Sequence, residues 1–174
     1  MNNSARTINN AHLTIYWGEE LGRYGFGEDH PLGQDRLDAF RVAAIREGID
    51  RSAEIAAPMA CNVTDLNLFH EPEYVQRVKE LSGIGKGYLD CGNTPAYPGI
   101  YDAGRFVVGT GLAAINRILR DDWHHAFVPI GGLHHARRDS AAGFSVFNDC
   151  GIMIEALRRR CGLHRLAYVA LDAH

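Results

Sequence analysis

The chain has 174 residues, of which 46% are hydrophobic, enough to form one globular domain around a buried core. Its formal net charge is -3, so it has no excess of basic residues of the kind typical of nucleic-acid-binding proteins, and we expect no nucleic-acid partner. The sequence shows neither the roughly 18 consecutive apolar residues of a membrane span nor the apolar core of a secretory signal. We therefore expect no membrane partner and a cytoplasmic location.

The four cysteines are widely spaced, without a CxxC pair or the density of a disulfide framework. This pattern indicates reduced thiols, which we interpret as small buried hydrophobic residues. They are Cys61, Cys91, Cys150 and Cys161.

Strand and helix patterns alternate in the first half of the chain. A short β-rich run is followed by a glycine-rich surface loop, and apolar residues at helical spacing come next. The predicted elements are a strand over Leu13–Trp17, a loop over 18–33, a helix over 35–47, a strand over 53–59 and a helix over 70–81.

The second half continues the alternation after a loop that is rich in glycine. The predicted elements are a loop over 83–99, a helix over 101–120, a strand over 126–130, a helix over 148–160 and a strand over 166–171. Alternating strands and helices predict a mainly parallel sheet covered on both faces, a three-layer α/β/α fold. We expect residues 1–174 to form a single domain.

Polar residues follow two of the predicted strands. His134 and His135 come shortly after the strand that ends at Ile130, whereas Asp172 and His174 close the last strand. Ligands of open parallel sheets bind at the carboxyl ends of the strands, and side chains at i and i+2 of a strand project to the same side. Asp172 and His174 are therefore candidate ligands for Zn²⁺ or a similar divalent ion, and the two adjacent histidines are candidates for proton transfer.

The histidine-rich run belongs to a longer pattern. Residues 131–149 (GGLHHARRDSAAGFSVFND) resemble the GGxHHAxxxxAxGFxxxND signature of histone deacetylases, and residues 168–174 (YVALDAH) resemble the metal-binding strand of that family, YVDxDxH. Further similarities are His30-Pro31 with Arg36, Phe69-His70 with Tyr74, and the loop 93–99 (NTPAYPG). The overall resemblance is to the bacterial acetoin-utilisation-type deacetylases.

This resemblance implies a metal-dependent amidohydrolase. Asp172 and His174 would bind the metal ion, which is Zn²⁺ in the family, with Fe²⁺ or Mn²⁺ as alternatives, and His134 and His135 would be the general acid–base pair. The implied reaction removes acetyl or other acyl groups from an acetylated lysine peptide or from a small acetylated amine such as an acetylated polyamine.

The resemblance also implies a substrate channel. Gly143 and Phe144 match positions that line the acyl-lysine channel, and Arg36 matches an arginine of the internal channel below the metal. Asn93 stands where many relatives have an acidic rim residue, so its grip on substrate N–H groups should be weaker. Five other histidines are interpreted as structural or surface residues; they are His30, His70, His124, His125 and His164.

Two departures from the family pattern affect the expected activity. Ala170 stands where the family has an aspartate that supports a catalytic histidine and a structural monovalent cation site. The family's third metal ligand, an aspartate, and a tyrosine that stabilises the tetrahedral intermediate would lie beyond His174. We therefore expect an N-terminal fragment of the catalytic domain, or a chain that pairs with the missing C-terminal part or forms a homo-oligomer. Alone, it should bind zinc poorly and hydrolyse little.

Two alternatives remain open. The first is an arginase-like ureohydrolase with two manganese ions, whose sites use DxHxD strands; the run from GGLHHA to GF argues against it. The second is a truncated deacetylase-like protein that survives as a non-catalytic interaction module, which Ala170 and the incomplete ligand set support.

Overall fold

The computed structural model describes residues 13–27, 30–120 and 125–173. Three short strands form a parallel sheet in the order β2-β1-β3, with β1 at Leu13–Tyr16, β2 at Glu54–Ala56 and β3 at His125–Phe127. In the central strand, Ile15 pairs with Ile55 on one side and with Phe127 on the other. The parallel sheet predicted from the alternation of strands and helices is confirmed.

Helices connect these strands and follow them. The predicted helices over 35–47, 70–81, 101–120 and 148–160 are all present, each with small shifts at its ends. The helices are α1 (Glu19–Gly22), α2 (Arg36–Arg46), α3 (Val63–Leu66), α4 (Pro72–Ile84), α5 (Ile100–Arg120) and α6 (Asp149–Cys161), with a short 3-10 helix at Ile49–Ser52.

The two short helices α1 and α3 were not predicted. Four residues make about one turn, which is too short to give a recognisable apolar period. In α3 the local signal is a capping box instead: the Asn62 side chain accepts from the Asp65 backbone N–H, and the Asp65 carboxylate accepts from the Asn62 backbone N–H.

Helix α5 is the centre of the packing, in contact with β3, α1, α4 and α6. Small residues on its buried face allow close approach, since a side chain at Gly104 would collide with the Phe147 ring and one at Gly111 with Met153. Helix α2 also contacts the sheet, because the Phe40 ring packs against Phe127 of β3. None of the helices among the described residues is both long enough and apolar enough to cross a membrane.

The predicted strand over 166–171 is wrong as a sheet element. The segment forms no strand, and its apolar side chains are exposed, to 50% for Tyr168, 74% for Val169 and 94% for Leu171. A strand is stabilised by hydrogen bonds to a neighbour, and no described strand pairs with this segment. Apolar composition alone therefore did not determine its conformation.

The interpretation of all four cysteines as buried is also wrong. Cys61 is buried and Cys150 is half-buried, but Cys91 and Cys161 are exposed, and all four are free thiols. Cys91 lies in the loop between α4 and α5, and Cys161 is the last residue of α6, so neither faces the core.

Replacing Gly109 with alanine should destabilise the protein by about 3 kcal/mol, because the new Cβ would lie 2.2 Å from the Met59 carbonyl oxygen and 2.3 Å from the Cys61 nitrogen. The matched control is Gly83→Ala in α4, where a Cβ meets nothing within 4 Å. This control should be neutral or stabilise by up to about 1 kcal/mol. Urea unfolding measures both, and equal stabilities for the two variants would contradict the close packing of α5.

Candidate active site

A cavity of about 560 Å³ lies between the residues that follow β1 and those that follow β3. The first group contributes residues 30–32 and 36, the second contributes residues 130–135 and 143–145, and Asp172 completes the wall. Because β1 connects to β2 on one side and β3 lies on the other, these two groups diverge at a topological switch point of the sheet. Open parallel sheets bind their ligands at such points.

Three of the four predicted metal and acid–base residues meet in this cavity. His135 Nε2 lies 2.8 Å from Asp172 Oδ2, and His134 Nε2 lies 3.3 Å from the same oxygen. The two imidazole rings are 4.1 Å apart between centroids. His174, the fourth predicted residue, lies outside the described residues.

The donor set suits a divalent ion. One ligand atom from each of His134, His135 and Asp172 lies within 4.8 Å of the other two. Imidazole nitrogen and carboxylate oxygen are both zinc ligands, so these side chains are of the chemical type that holds such an ion. Because His135 and Asp172 are in direct hydrogen-bond contact, an ion between them would require Asp172 to move, and its segment has no sheet pairing to prevent that.

The turn that carries the histidines is held by a buried carboxylate. We name residues 131–136 the histidine turn. Asp149, which is 2% exposed, accepts hydrogen bonds from the backbone nitrogens of Gly132 (2.8 Å), Leu133 (2.7 Å) and Cys150 (3.0 Å). Burial raises the pKa of the Asp149 carboxyl, whereas these three hydrogen bonds act in the opposite direction. Asp149 is the first residue of α6, so these hydrogen bonds attach the histidine turn to the start of that helix.

The neighbouring Asn148 binds the other end of the histidine turn. Its side-chain amide donates to the carbonyl oxygens of His134 and Ala136, each at 2.9 Å, while its side-chain oxygen accepts from the Gly151 nitrogen at the start of α6. One residue therefore caps a helix and fixes the backbone on both sides of His135.

His70 is buried and hydrogen-bonded to the backbone of Asn148, in agreement with the prediction that His70 is a structural or surface residue. Its Nε2 accepts from the Asn148 backbone N–H at 2.9 Å, and its Nδ1 lies 3.3 Å from the Arg138 carbonyl oxygen. A carbonyl oxygen only accepts, so Nδ1 carries the proton of a neutral imidazole. Burial lowers the pKa of His70 to about 4, partly opposed by its backbone hydrogen bonds.

The predicted channel residues Gly143 and Phe144 form a tight turn beside His135. We name residues 142–145 the phenylalanine turn; Ala142 and Ser145 exchange backbone hydrogen bonds across it. A Cβ at Gly143 would lie 3.0 Å from His135 Cγ, so only glycine lets the ring sit this close. The Phe144 ring meets the His30 ring edge to face, at 4.3 Å between centroids.

The remaining predicted residues differ in their positions. Arg36, the first residue of α2, lines the cavity, and its role in an internal channel stays a prediction. Asn93 is exposed and stands outside the set of residues that line the cavity; its backbone N–H donates to Asp90 Oδ1 at 2.7 Å. Its role at a substrate rim stays a prediction.

Sequence reasoning missed His30 and Asp149. His30 was interpreted as structural or surface, yet it lines the cavity, and its Nδ1 accepts from the Leu32 backbone N–H at 3.0 Å. Its place after the first predicted strand, in the His30-Pro31 segment that resembles the family, is the available signal. Asp149 was noted as part of the signature but received no role, because its hydrogen bonds to the histidine turn depend on the tertiary structure. His124 lies outside the described residues.

The chain matches the histone deacetylase domain family over residues 30–174, and it therefore belongs to that family. The crystal structure of the HDA15 HD domain is similar to it, with a TM-score of 0.75 at 20% identity, over 87% of this chain and 44% of that chain. This likeness confirms the predicted α/β fold. Membership of the family also favours the deacetylase interpretation over the arginase-like alternative.

Curated relatives include both bacterial and eukaryotic proteins. The acetoin utilization protein AcuC of Bacillus subtilis is 31% identical over 160 residues, covering 87% of this chain and 41% of that protein. Histone deacetylase 6 of Arabidopsis thaliana is 27% identical, with coverages of 93% and 36%, and histone deacetylase 1 of Homo sapiens is 24% identical, with coverages of 93% and 35%. The chain thus spans about two fifths of the length of these relatives or slightly less.

Stability should fall as pH decreases from about 6.5 towards 4, because His70 is held neutral in the fold and takes up a proton on unfolding. The unfolded chain binds more protons in this window, so acid favours it. At pH 4.5 the His70 contribution should be about 2 to 3 kcal/mol of lost stability relative to pH 7.5. Urea unfolding at both pH values measures the loss, and His70→Gln should lose correspondingly less. Equal losses in both proteins would contradict the buried neutral imidazole.

Proposed function

We propose that the native-length protein, by which we mean this chain together with any further polypeptide that completes its site, is a zinc-dependent amidohydrolase. It would remove acetyl or other acyl groups from acetyl-lysine or a small acetylated amine. The observation that carries the proposal is the convergence of His134, His135 and Asp172 at the switch-point cavity, beside the wall formed by Phe144. A carboxylate can help to hold an ion at this point, and the two imidazoles beside it can transfer protons there. Membership of the histone deacetylase domain family supports this assignment.

Asp172 would hold the ion together with His174. A bound Zn²⁺ supplies a Lewis acid for the amide carbonyl and lowers the pKa of water. The two histidines, His134 and His135, would transfer protons as the general acid–base pair. His134 Nδ1 lies 3.0 Å from the Gly132 carbonyl oxygen, which can only accept, so Nδ1 carries the proton and Nε2 is left to take one up. His135, packed against Gly143, would be the second proton-transfer residue, and the proton that the pair takes up would pass to the leaving amine.

The cavity wall accounts for the choice of an acylated amine. Phe144 and His30 present aromatic surface, which packs well on the aliphatic stem of a lysine side chain and excludes water from the reacting amide. Because Gly143 has no side chain, its backbone would lie directly beside a substrate in the cavity. These features favour a narrow, extended substrate over a bulky one.

The exposed segment Leu166–Leu171 suggests how the site is completed. The apolar side chains of this segment are exposed to solvent, and Asp172 follows it directly in the chain. The position of the segment therefore determines where the proposed metal ligand lies. We propose that this segment pairs as a strand with further polypeptide, either the C-terminal remainder of a longer protein or a second chain. That pairing would cover its apolar surface and fix Asp172.

His135→Ala should lower kcat/KM for acetate release from an acetyl-lysine peptide by about 100- to 10,000-fold, the usual contribution of a general acid or base. His164→Ala, an exposed histidine beyond α6, is the matched control and should keep the wild-type rate. The assay uses the native-length protein. Wild-type turnover in His135→Ala would remove this residue from the mechanism, and absence of turnover in the wild-type protein would favour the non-catalytic alternative.

Asp172→Asn should weaken zinc binding by at least about tenfold, because an amide is a poorer ligand than a carboxylate. Asp102→Asn, an exposed carboxylate in α5 that pairs with Arg105, should leave zinc affinity unchanged. Competition with a chelator, followed by metal analysis of the dialysed protein, gives both affinities. Equal zinc retention in the two variants would argue against a metal site at Asp172.

A further inference from the structure

The phenylalanine turn is held by a residue from the opposite side of the cavity. The Tyr24 hydroxyl donates to the Phe144 carbonyl oxygen at 2.7 Å and accepts from the Val146 backbone N–H at 2.9 Å. We propose that Tyr24 is a positioning residue, which acts through Phe144 to select substrates with an extended aliphatic stem. The proposal rests on the proposed amidohydrolase function.

The phenylalanine turn needs such support because its backbone is strained. Gly143 has a φ of 52° and Phe144 a φ of 62°. Within the described residues, Phe144 is the one non-glycine residue with a positive φ. For a bulky side chain this region costs of order 1–3 kcal/mol and persists only where the surroundings fix it. The Tyr24 hydroxyl provides this support, because it donates to the carbonyl oxygen of the strained residue and accepts from the backbone N–H two residues further on.

Two features of the site depend on this backbone. Gly143 packs against the His135 ring, and the Phe144 ring faces His30 in the cavity wall. If the turn relaxed towards a negative φ, the Phe144 ring would be redirected and the wall would lose its aromatic surface. The wall contacts the stem of a substrate rather than the reacting amide, so relaxation should weaken stem recognition more than metal binding.

The surroundings of Tyr24 suit this task. Tyr24 is 4% exposed, and burial raises its pKa well above the usual value, so the hydroxyl stays neutral and can donate and accept together. It lies between α1 and α2, after the first strand, whereas Phe144 follows the third strand. Its two hydrogen bonds therefore tie the two sides of the switch-point cavity together, 120 and 122 residues apart in sequence.

Hydroxamic acids test the proposal by binding rather than by turnover, because they chelate divalent metals with or without a stem. Titration calorimetry on the zinc-loaded native-length protein would compare acetohydroxamate, which has no stem, with a hydroxamate that carries a six-carbon stem. Tyr24→Phe should weaken the stemmed compound about tenfold and acetohydroxamate by less than about threefold. Each pair is measured on one sample, so partial unfolding would cancel from the ratio.

Tyr97→Phe is the matched control. The Tyr97 hydroxyl also makes two backbone hydrogen bonds, donating to the Arg23 carbonyl oxygen at 2.8 Å and accepting from the Gly25 nitrogen at 3.3 Å. It thus supports the segment around Tyr24 without touching the phenylalanine turn. Tyr97→Phe should leave the ratio of the two hydroxamate affinities unchanged.

A second background tests whether Tyr24 acts through Phe144. Phe144→Gly removes both the wall and the strain, so Tyr24→Phe should cause no further change in the affinity ratio when added to it. Hydrogen exchange of the Val146 amide gives an independent readout, because exchange should become faster in Tyr24→Phe and stay slow in Tyr97→Phe.

The possible results separate the two proposals. If the wild-type protein binds both hydroxamates and Tyr24→Phe keeps the wild-type ratio, the role of Tyr24 is overturned and the amidohydrolase function stands. A further loss from Tyr24→Phe in the Phe144→Gly background also overturns action through Phe144. If the zinc-loaded wild-type protein binds neither compound, the proposed function fails, and the selection of stemmed substrates fails with it.

Discussion

The site depends on one buried constraint, the attachment of the histidine turn to the start of α6. Asn148 binds the carbonyls on either side of His135, and Asp149 binds the amides of Gly132 and Leu133. Turns of this kind expose backbone groups that are costly to bury without partners. Two consecutive side chains satisfy these groups, so the positions of both imidazoles follow from the placement of a single helix terminus.

The parallel sheet determines what this turn faces. Because β3 lies beside β1, the residues after β1 meet the histidine turn across a cavity, where His30 and Tyr24 reach Phe144. Helices α3, α4 and α5 lie between β2 and β3 in the chain, and α5 packs against β3 and, through its glycines, closely against neighbouring segments. The order of the strands therefore determines which residues face the histidine turn.

The two halves of the candidate site differ in how well this chain supports them. It belongs to the histone deacetylase domain family and spans about two fifths of its curated relatives or slightly less. The described part contains a well-packed histidine turn and cavity wall, whereas Asp172 stands on an exposed segment without sheet pairing. The proposed proton-transfer residues, His134 and His135, are thus supported by the core of this chain, whereas the proposed metal ligand Asp172 has fewer supporting contacts.

The family, the parallel α/β fold and the candidates His134, His135 and Asp172 were predictable from the sequence, because they depend on local periodicity and on a contiguous signature. The other residues that surround the candidate site became visible from the tertiary contacts. Tyr24, His30 and Asp149 contact the cavity wall or the histidine turn through partners distant in sequence, which local patterns do not predict. Likewise, the apolar run 166–171 predicted a strand, but a strand forms only against a neighbour, and pairing is a long-range property.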